Sequence, residues 1–177
     1  VTCEVTPHHL VLNEEAVLGF DTNTKMKPPL RSEKDRLACV EALKSGLIDC
    51  IATDHAPHAD FEKEKEFDHA PFGIIGLETA FPVLYKQLVL SGQLSLERLV
   101  EAFSSAPAKV LGLPGGSLDE GKAADLTIID LNKETLFSPE NILSKSKNTP
   151  WLNHSLPGRV MWTICNGNIS YQDFQNE

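Results

Sequence analysis

The hydrophobic and polar positions at the start of the chain predict a strand, a helix and a second strand. Residues 1–6 are rich in β-branched side chains and predict a strand that ends near Pro7. The apolar run 47–53 predicts a second strand, covered on both faces. Between them, Ser32 begins a predicted helix, and Gly46 stands where its C-cap would be. Apolar side chains recur there at every third or fourth position: Leu37, Val40, Leu43 and Leu47. These segments together predict one βαβ unit.

A long loop, residues 10–31, joins the first predicted strand to this helix. It contains Gly, Asn, Asp and two consecutive prolines, residues that favour turns over regular structure. Long loops in compact domains are commonly functional, so we expect this one to contribute to a site.

The pattern changes near residue 113. Three helices are predicted before it, over 77–91, 96–104 and 107–112, with Pro82 close to the first turn. After the break at 113–117, strands are predicted over 125–131 and 160–171, the second with an Asn-Gly turn at 166–167. We therefore predict two domains, 1–113 and 114–177, with a frayed tail at 172–177.

Composition and charge exclude several classes of protein. The chain has 177 residues, 41% of them hydrophobic, as expected for a globular protein with a core. Its net charge of −9 and the lack of a basic stripe argue against a nucleic-acid partner. No apolar run approaches the roughly 18 residues of a membrane span. Four scattered cysteines favour a reduced, cytoplasmic protein with buried thiols: Cys3, Cys39, Cys50 and Cys165.

Asp54 directly follows the second predicted strand, in the segment "IATDHAPHAD" at 51–60. In parallel α/β folds the reactive groups lie at the carboxyl ends of strands. A carboxylate at this position can bind a metal, act as a general base, or do both. It can equally cap the following turn, which is a common role for aspartate.

Histidines follow both predicted strands. His55 and His58 lie three residues apart, but Pro57 disrupts the helical turn that they would need to bind zinc by themselves. We expect His58 to offer a hydrogen bond or a charge to an anionic substrate. His8 and His9 end the first strand, and on an extended chain only one of them can face a given metal.

Two further segments suit an anionic substrate. "KMKPPLR" at 25–31 places Lys25, Lys27 and Arg31 beside rigid prolines, which fits a carboxylate ligand or a solvated basic loop. "APFGIIG" at 70–76 offers backbone N–H groups before a helix, which can hold an anion or a carbonyl or form a simple turn.

The order and spacing of these motifs resemble one enzyme family. "VTPHHL", "KMKPPLR", "IATDHAPH" and "APFGIIGLETAFP" together resemble the dihydroorotases of the amidohydrolase superfamily, in the bacterial class that carries "TDHAPH". "GKAADLTIIDL" and "NTPWLNHSLPGRVMWTICNG" are similar to the end of that family. The resemblance implies an α/β fold: the C-terminal part of a (β/α)8 TIM-type barrel plus part of a small β-sandwich.

The resemblance also implies an activity and a cofactor. Dihydroorotases interconvert N-carbamoyl-L-aspartate and L-dihydroorotate, the ring-closing step of pyrimidine synthesis, and hold one or two zinc ions. By position, Asp54 matches the family's zinc ligand and general acid/base, and His58 its contact to the substrate carboxylate. Phe72 and Gly73 match the segment that holds the substrate ring. Lys27 stands where many members have an asparagine that touches the substrate.

The family's other zinc ligands have no counterpart in these 177 residues. Val1 lies inside a predicted strand, which indicates processing or the C-terminal piece of a longer chain. We expect an enzyme fragment that is inactive alone, whose parent binds a small-molecule substrate and forms a homodimer or associates with aspartate carbamoyltransferase. Two alternatives stay open: an allantoinase or dihydropyrimidinase, and a non-catalytic dihydroorotase-like subunit that scaffolds a carbamoyltransferase.

Overall fold

The structure is a computed structural model that describes residues 1–173. Its first strands are β1 (Glu4–Val5) and β2 (Cys50–Ile51), which pair in parallel as predicted. Both are shorter than the predicted 1–6 and 47–53, and a helix begins at Pro7, directly after β1. The β2 residues are both buried, as expected for a covered strand.

A short helix, α1 (Pro7–Val11), replaces the predicted end of the first strand. The Thr6 side chain accepts a hydrogen bond from the His9 N–H and so caps the helix. Pro7 occupies the first turn, where its lack of an N–H does not interrupt hydrogen bonding. The predicted extended conformation of His8 and His9 is therefore wrong.

The long loop that follows is more ordered than its composition predicts. It contains two single 3₁₀ turns, Glu14–Val17 and Thr22–Thr24. The side chains of Asn13 and Asp21 cap these turns by accepting backbone N–H groups. The connection thus has a defined path that leads "KMKPPLR" toward the strand ends.

The helix α2 (Glu33–Ser45) begins and ends where the sequence predicts. The Ser32 side chain accepts a hydrogen bond from the Asp35 N–H at 3.3 Å, and Gly46 ends the helix with a left-handed φ of +80°. The predicted apolar face divides into two buried side chains, Val40 and Leu43, and two exposed ones, Leu37 and Leu47. Only a narrow stripe of α2 therefore contacts the core.

Four more helical segments follow β2. They are α3 (Asp60–Lys63), α4 (Ala80–Leu84), α5 (Leu96–Phe103) and α6 (Ser105–Leu111). The predicted helix 77–91 consists of α4 and a π-helical turn, Tyr85–Val89, in which the Leu90 N–H bonds to the Tyr85 carbonyl at 3.0 Å. Pro82 lies near the start of α4, as predicted. Across residues 1–173, the helices are too short or too polar to cross a membrane.

The end of the chain forms an antiparallel sheet in the order β3-β4-β5. The strands are β3 (Leu126–Leu136), β4 (Ser155–Cys165) and β5 (Asn168–Gln172), so two of them are longer than the sequence predicts. The predicted turn is confirmed, since Asn166 and Gly167 both have positive φ. Of the predicted frayed tail, Gln172 ends β5, and residues 174–177 lie outside the described residues.

Two apolar clusters form the core. The first packs β1 and β2 against the helices: Val5, Leu10, Val40, Leu43, Ile51, Leu84, Leu88, Leu94, Leu99 and Ala102. The second joins the 25–31 and 74–75 segments to the later sheet: Met26, Leu30, Ile74, Ile75, Val83, Phe137, Ile142, Trp151 and Leu156. The second cluster contains residues from both sides of position 113. The predicted domain boundary at this position stays a prediction.

The four cysteines are free thiols, as expected. Cys50 is buried in β2 and Cys39 is partly buried on α2. Cys3 and Cys165 are exposed, so the prediction that all four thiols are buried is wrong for these two. Cys3 lies before β1 and Cys165 ends β4.

Candidate functional site

Asp54 lies just beyond the carboxyl end of β2, beside the end of β1. The Ala52 N–H donates to the Val5 carbonyl at 3.1 Å, so the two strands end together. The Asp54 backbone is left-handed, with φ of +49°, a conformation that is uncommon outside glycine and concentrates at functional sites. Its side chain is exposed, and within residues 1–173 its carboxylate makes no hydrogen bond or ion pair. The capping alternative is therefore wrong.

His55 connects the end of β2 to the "APFGIIG" segment. Its backbone forms a parallel bridge with Ile74, and its ring Nδ1 accepts the Gly76 N–H at 3.0 Å. A nitrogen that accepts a hydrogen bond carries no proton, so the neutral ring holds its proton on Nε2. This bond fixes the chain on the C-terminal side of Asp54.

His58 lies against Phe72, so the structure brings together two of the residues predicted to bind substrate. The His58 Nε2 is 2.9 Å from the Phe72 carbonyl oxygen, which can only accept, so Nε2 donates. Its Nδ1 lies 3.7 Å from the Glu62 carboxylate. A hydrogen bond from His58 to an anionic ligand must therefore come from Nδ1, which donates only when both ring nitrogens carry a proton, and Glu62 competes for it.

Gly73 is confined to glycine by its surroundings. Its φ is +98°, and an added Cβ would lie 2.7 Å from the Ala56 Cβ. The Gly73 N–H donates to the Lys25 carbonyl at 2.9 Å. Phe72 and Gly73 are thus held between the Asp54 loop and the "KMKPPLR" segment.

The three cations of "KMKPPLR" have different surroundings. Lys27 is exposed, with its Nζ 5.6 Å from the centroid of the Phe72 ring. Lys25 is buried, and its Nζ donates to the carbonyls of Phe67, Asp68 and Ala70. Arg31 points toward Asp35, at 3.9 Å. The Lys25 Nζ is therefore engaged by backbone carbonyls, whereas Lys27 and Arg31 are both exposed, and the interpretation of this segment as a carboxylate ligand stays a prediction.

Lys63 is a second buried lysine, which the sequence analysis missed. Its Nζ donates to the carbonyls of Thr22 and Pro71, at 2.8 and 2.9 Å. Burial lowers the pKa of Lys63 to about 8, with a smaller contribution from the nearby Lys25 charge, while Asp21 acts in the opposite direction. Its partners are backbone carbonyls, which no sequence motif indicates.

The two adjacent histidines of α1 have separate roles. His8 is buried, and burial, followed by the neighbouring His9, lowers its pKa to about 3, so it is neutral near pH 7. His9 lies 3.0 Å through Nε2 from the Pro28 carbonyl and 2.6 Å through Nδ1 from the Thr6 hydroxyl. His9 therefore joins α1 to the "KMKPPLR" segment.

Asn148 is the other site residue that sequence reasoning missed. It is 5% exposed, and it comes from the segment between β3 and β4. Its Oδ1 accepts the His58 N–H at 3.2 Å, and its Nδ2 donates to the Ala56 and Gly73 carbonyls at 2.9 and 3.3 Å. Its own carbonyl accepts the Ile75 N–H at 3.0 Å. Asn148 thus contacts both segments of the site.

The described residues do not form a complete metal site. In the part of the chain that the structure describes, no three His, Cys, Asp or Glu side chains are grouped to hold an ion. Asp54 has a free carboxylate and fits the role of one ligand, whereas structural and catalytic zinc sites use at least three protein ligands. His55, His58 and His9 already bond to protein groups.

Comparisons with known proteins identify one family. Residues 5–170 match the model of the amidohydrolase family. The chain is 51% identical over 173 residues to the dihydroorotase of Bacillus subtilis strain 168, and 51% identical over 173 residues to that of Carboxydothermus hydrogenoformans. These alignments cover 98% and 97% of this chain. The chain spans about 40% of the length of either curated relative.

A solved structure supports the fold. The L-hydantoinase (dihydropyrimidinase) from Arthrobacter aurescens superposes with a TM-score of 0.89 at 33% identity, covering 97% of this chain and 39% of that protein. The predicted fold class, part of a TIM-type hydrolase barrel of α/β class, is confirmed, and so is the resemblance to dihydroorotases. The chain belongs to the amidohydrolase family.

Proposed function

We propose that this chain is part of a dihydroorotase, a cytoplasmic enzyme of pyrimidine biosynthesis that interconverts N-carbamoyl-L-aspartate and L-dihydroorotate. The observation that carries the proposal is the free carboxylate of Asp54 at the end of β2, in the same cluster of loops as His58, Phe72 and Gly73. The identity to dihydroorotases over nearly the whole chain supports it, and the free thiols support the compartment.

Asp54 is proposed to move the proton. In hydrolysis, water adds to the ring carbonyl, and the Asp54 carboxylate accepts a proton from that water. The same proton then passes to the ring nitrogen as the C–N bond breaks, and ring closure reverses each step. The carboxylate suits this role because it is exposed and no described residue competes for it.

Zinc is the proposed cofactor, as one or two ions. Asp54 would supply one ligand, and the others would come from outside the described residues, since these hold no group of three ligands. Zinc, when bound, polarises a carbonyl and lowers the pKa of water. The roles assigned to the other residues of this chain, which hold and orient the substrate, do not depend on the number of ions.

The substrate-binding role rests on charge and shape. Both proposed substrates carry carboxylates, and Lys27 offers an exposed cation beside Phe72 in a chain whose net charge is −9. His58 Nδ1 lies 3.7 Å from the Glu62 carboxylate. The Phe72–Gly73 segment, fixed by its close approach to Ala56, is proposed to hold the ring.

The test compares substrates that differ in the carboxylate. The full-length protein, meaning the natural polypeptide that contains this chain, is assayed with L-dihydroorotate, hydantoin, allantoin and dihydrouracil after its metal content is measured. Turnover of L-dihydroorotate in preference to the others supports the proposal. Preference for a ring without a carboxylate indicates the hydantoinase or allantoinase alternative, with which the L-hydantoinase superposition is consistent.

The scaffolding alternative predicts a protein that lacks bound zinc and turns over none of these rings, because such subunits lose zinc ligands. The resemblance alone suggests homodimers or association with aspartate carbamoyltransferase. Size-exclusion chromatography of the full-length protein, with and without that transferase, measures both. A protein that stays monomeric in each experiment contradicts this part of the proposal.

A further inference from the structure

Three short segments meet at the proposed site, and each belongs to a different part of the chain. The Asp54 loop supplies Ala56 and His58, the "APFGIIG" segment supplies Gly73, and the segment before β4 supplies Asn148. Asn148 lies 90 residues from His58 and 75 residues from Gly73 in sequence. Its side chain is thus a tertiary link rather than part of a local turn.

The carbonyl oxygen and the amide nitrogen of the Asn148 side chain both form hydrogen bonds. An asparagine side chain has one carbonyl oxygen and two N–H donors. Here the oxygen accepts the His58 N–H, and the two donors meet the carbonyls of Ala56 and Gly73. Because the side chain is buried, loss of these bonds would leave backbone groups without partners, which is costly away from water.

We propose that Asn148 is a positioning residue that sets the distance between His58 and the Phe72–Gly73 segment. This inference rests on the proposed function, in which those residues bind the substrate. Asn148 acts through the backbone of its neighbours and touches no reacting group. It should therefore govern substrate affinity more than the rate of the chemical step.

The first experiment measures steady-state kinetics of the full-length protein carrying Asn148→Ala. We expect KM for L-dihydroorotate to rise at least about tenfold while kcat stays within about threefold. Thr149→Ala is the matched control, because Thr149 is buried beside Asn148 but its side chain accepts only the Trp151 N–H. Its KM should match that of the wild type.

Asn148→Ser provides a milder second variant, since a serine hydroxyl is too short to reach all three partners. It should give an intermediate KM. The proposal is overturned if KM is unchanged, if kcat falls while KM does not rise, or if Thr149→Ala raises KM equally. It is also overturned if both Asn148 variants are insoluble while Thr149→Ala folds, because Asn148 would then serve folding.

A second measurement needs no activity. Hydrogen exchange, resolved by residue, follows the His58 amide, which should exchange faster in Asn148→Ala than in the wild type, with α2 amides as the reference. Unchanged exchange at His58 overturns the link itself. If the wild type does not turn over L-dihydroorotate but His58 exchange accelerates, the proposed function fails and the link stands. If turnover is present and KM is unaffected, only the positioning role fails.

Discussion

Asp54 combines a left-handed backbone with a carboxylate that no described residue contacts. Asparagine tolerates the same conformation, so Asp54→Asn changes charge and proton affinity with little strain. We expect turnover of L-dihydroorotate by the full-length protein to fall by roughly 10²–10⁴-fold in both directions. Asp68→Asn, at an exposed carboxylate, is the control and should leave the turnover of L-dihydroorotate unchanged. Retention of more than about a tenth of the activity would contradict the proton-transfer role.

His58 is expected to act on binding. His58→Ala removes the donor to the Phe72 carbonyl and the Nδ1 that faces Glu62, so KM for L-dihydroorotate should rise with kcat changed by less than about threefold. The control is His69→Ala, at an exposed histidine beside Glu66. Initial-rate kinetics separate KM from kcat. A fall in kcat with no change in KM would contradict the substrate-binding role of His58.

Residues that belong to compact motifs could be located from the sequence. Asp54 and His58 lie in one short segment after a strand, and their positions follow from the order of chain elements. Asn148 could not be located, because its partners lie in segments distant along the chain and most are backbone groups. The sequence left open whether Lys25 binds a carboxylate, and only the folded loop shows three carbonyls around its Nζ.

The bounds of a helix were most predictable where the sequence contains its capping residues. The limits of α2 follow from Ser32 and Gly46, whose cap geometry is local. The strand lengths were not predictable, since a strand extends only where a neighbour pairs with it. The Thr-Pro pair before His8 is a helix-start signal that identifies α1 in retrospect.

Helix α1 contains a buried histidine, His8, whose protonation should make the stability of the folded chain depend on pH. His8 has a pKa of about 3 when folded, against an ordinary pKa of 6.5 for an exposed histidine, so the unfolded chain binds more protons between these values. Stability therefore falls as pH drops from 6.5 toward 3. We expect His8→Gln to reduce this fall, and His69→Gln, at an exposed site, to leave it unchanged. Circular dichroism gives the melting midpoint of each protein from about pH 7 to about pH 4. If the melting midpoint falls equally with pH in the wild type and in both variants, the link between His8 and stability is refuted.

Two glycines with positive φ allow backbone strain to be separated from steric clash. Gly46 at the end of α2 has open space around it, whereas a Cβ on Gly73 meets Ala56 at 2.7 Å. Gly46→Ala should cost about 1 kcal/mol from its left-handed backbone alone. Gly73→Ala should lower the melting midpoint further and raise KM, because the clash displaces the segment proposed to hold the ring. Equal effects of the two changes would contradict this account.

At the scale of the whole molecule, the site depends on contacts between distant parts of the chain. The second apolar cluster joins Met26 and Ile74 to Phe137 and Trp151, and Asn148 adds hydrogen bonds beside it. The Asp54 loop is therefore supported by residues on both sides of position 113. Truncation after residue 113 should disorder this loop even though Asp54 and His58 remain.

The same dependence predicts how the 177-residue chain behaves alone. Its described residues offer the free Asp54 carboxylate but no group of three metal ligands, so we expect weak zinc binding and no turnover of L-dihydroorotate. Within residues 1–173, the sheet of β1 and β2 has two strands, and its unpaired edges favour aggregation. The full-length protein should be soluble, zinc-loaded and active under the same conditions. Isothermal titration with zinc, light scattering and turnover assays compare the two proteins. An isolated chain that is monomeric, zinc-loaded and active would refute both the ligand argument and the packing argument.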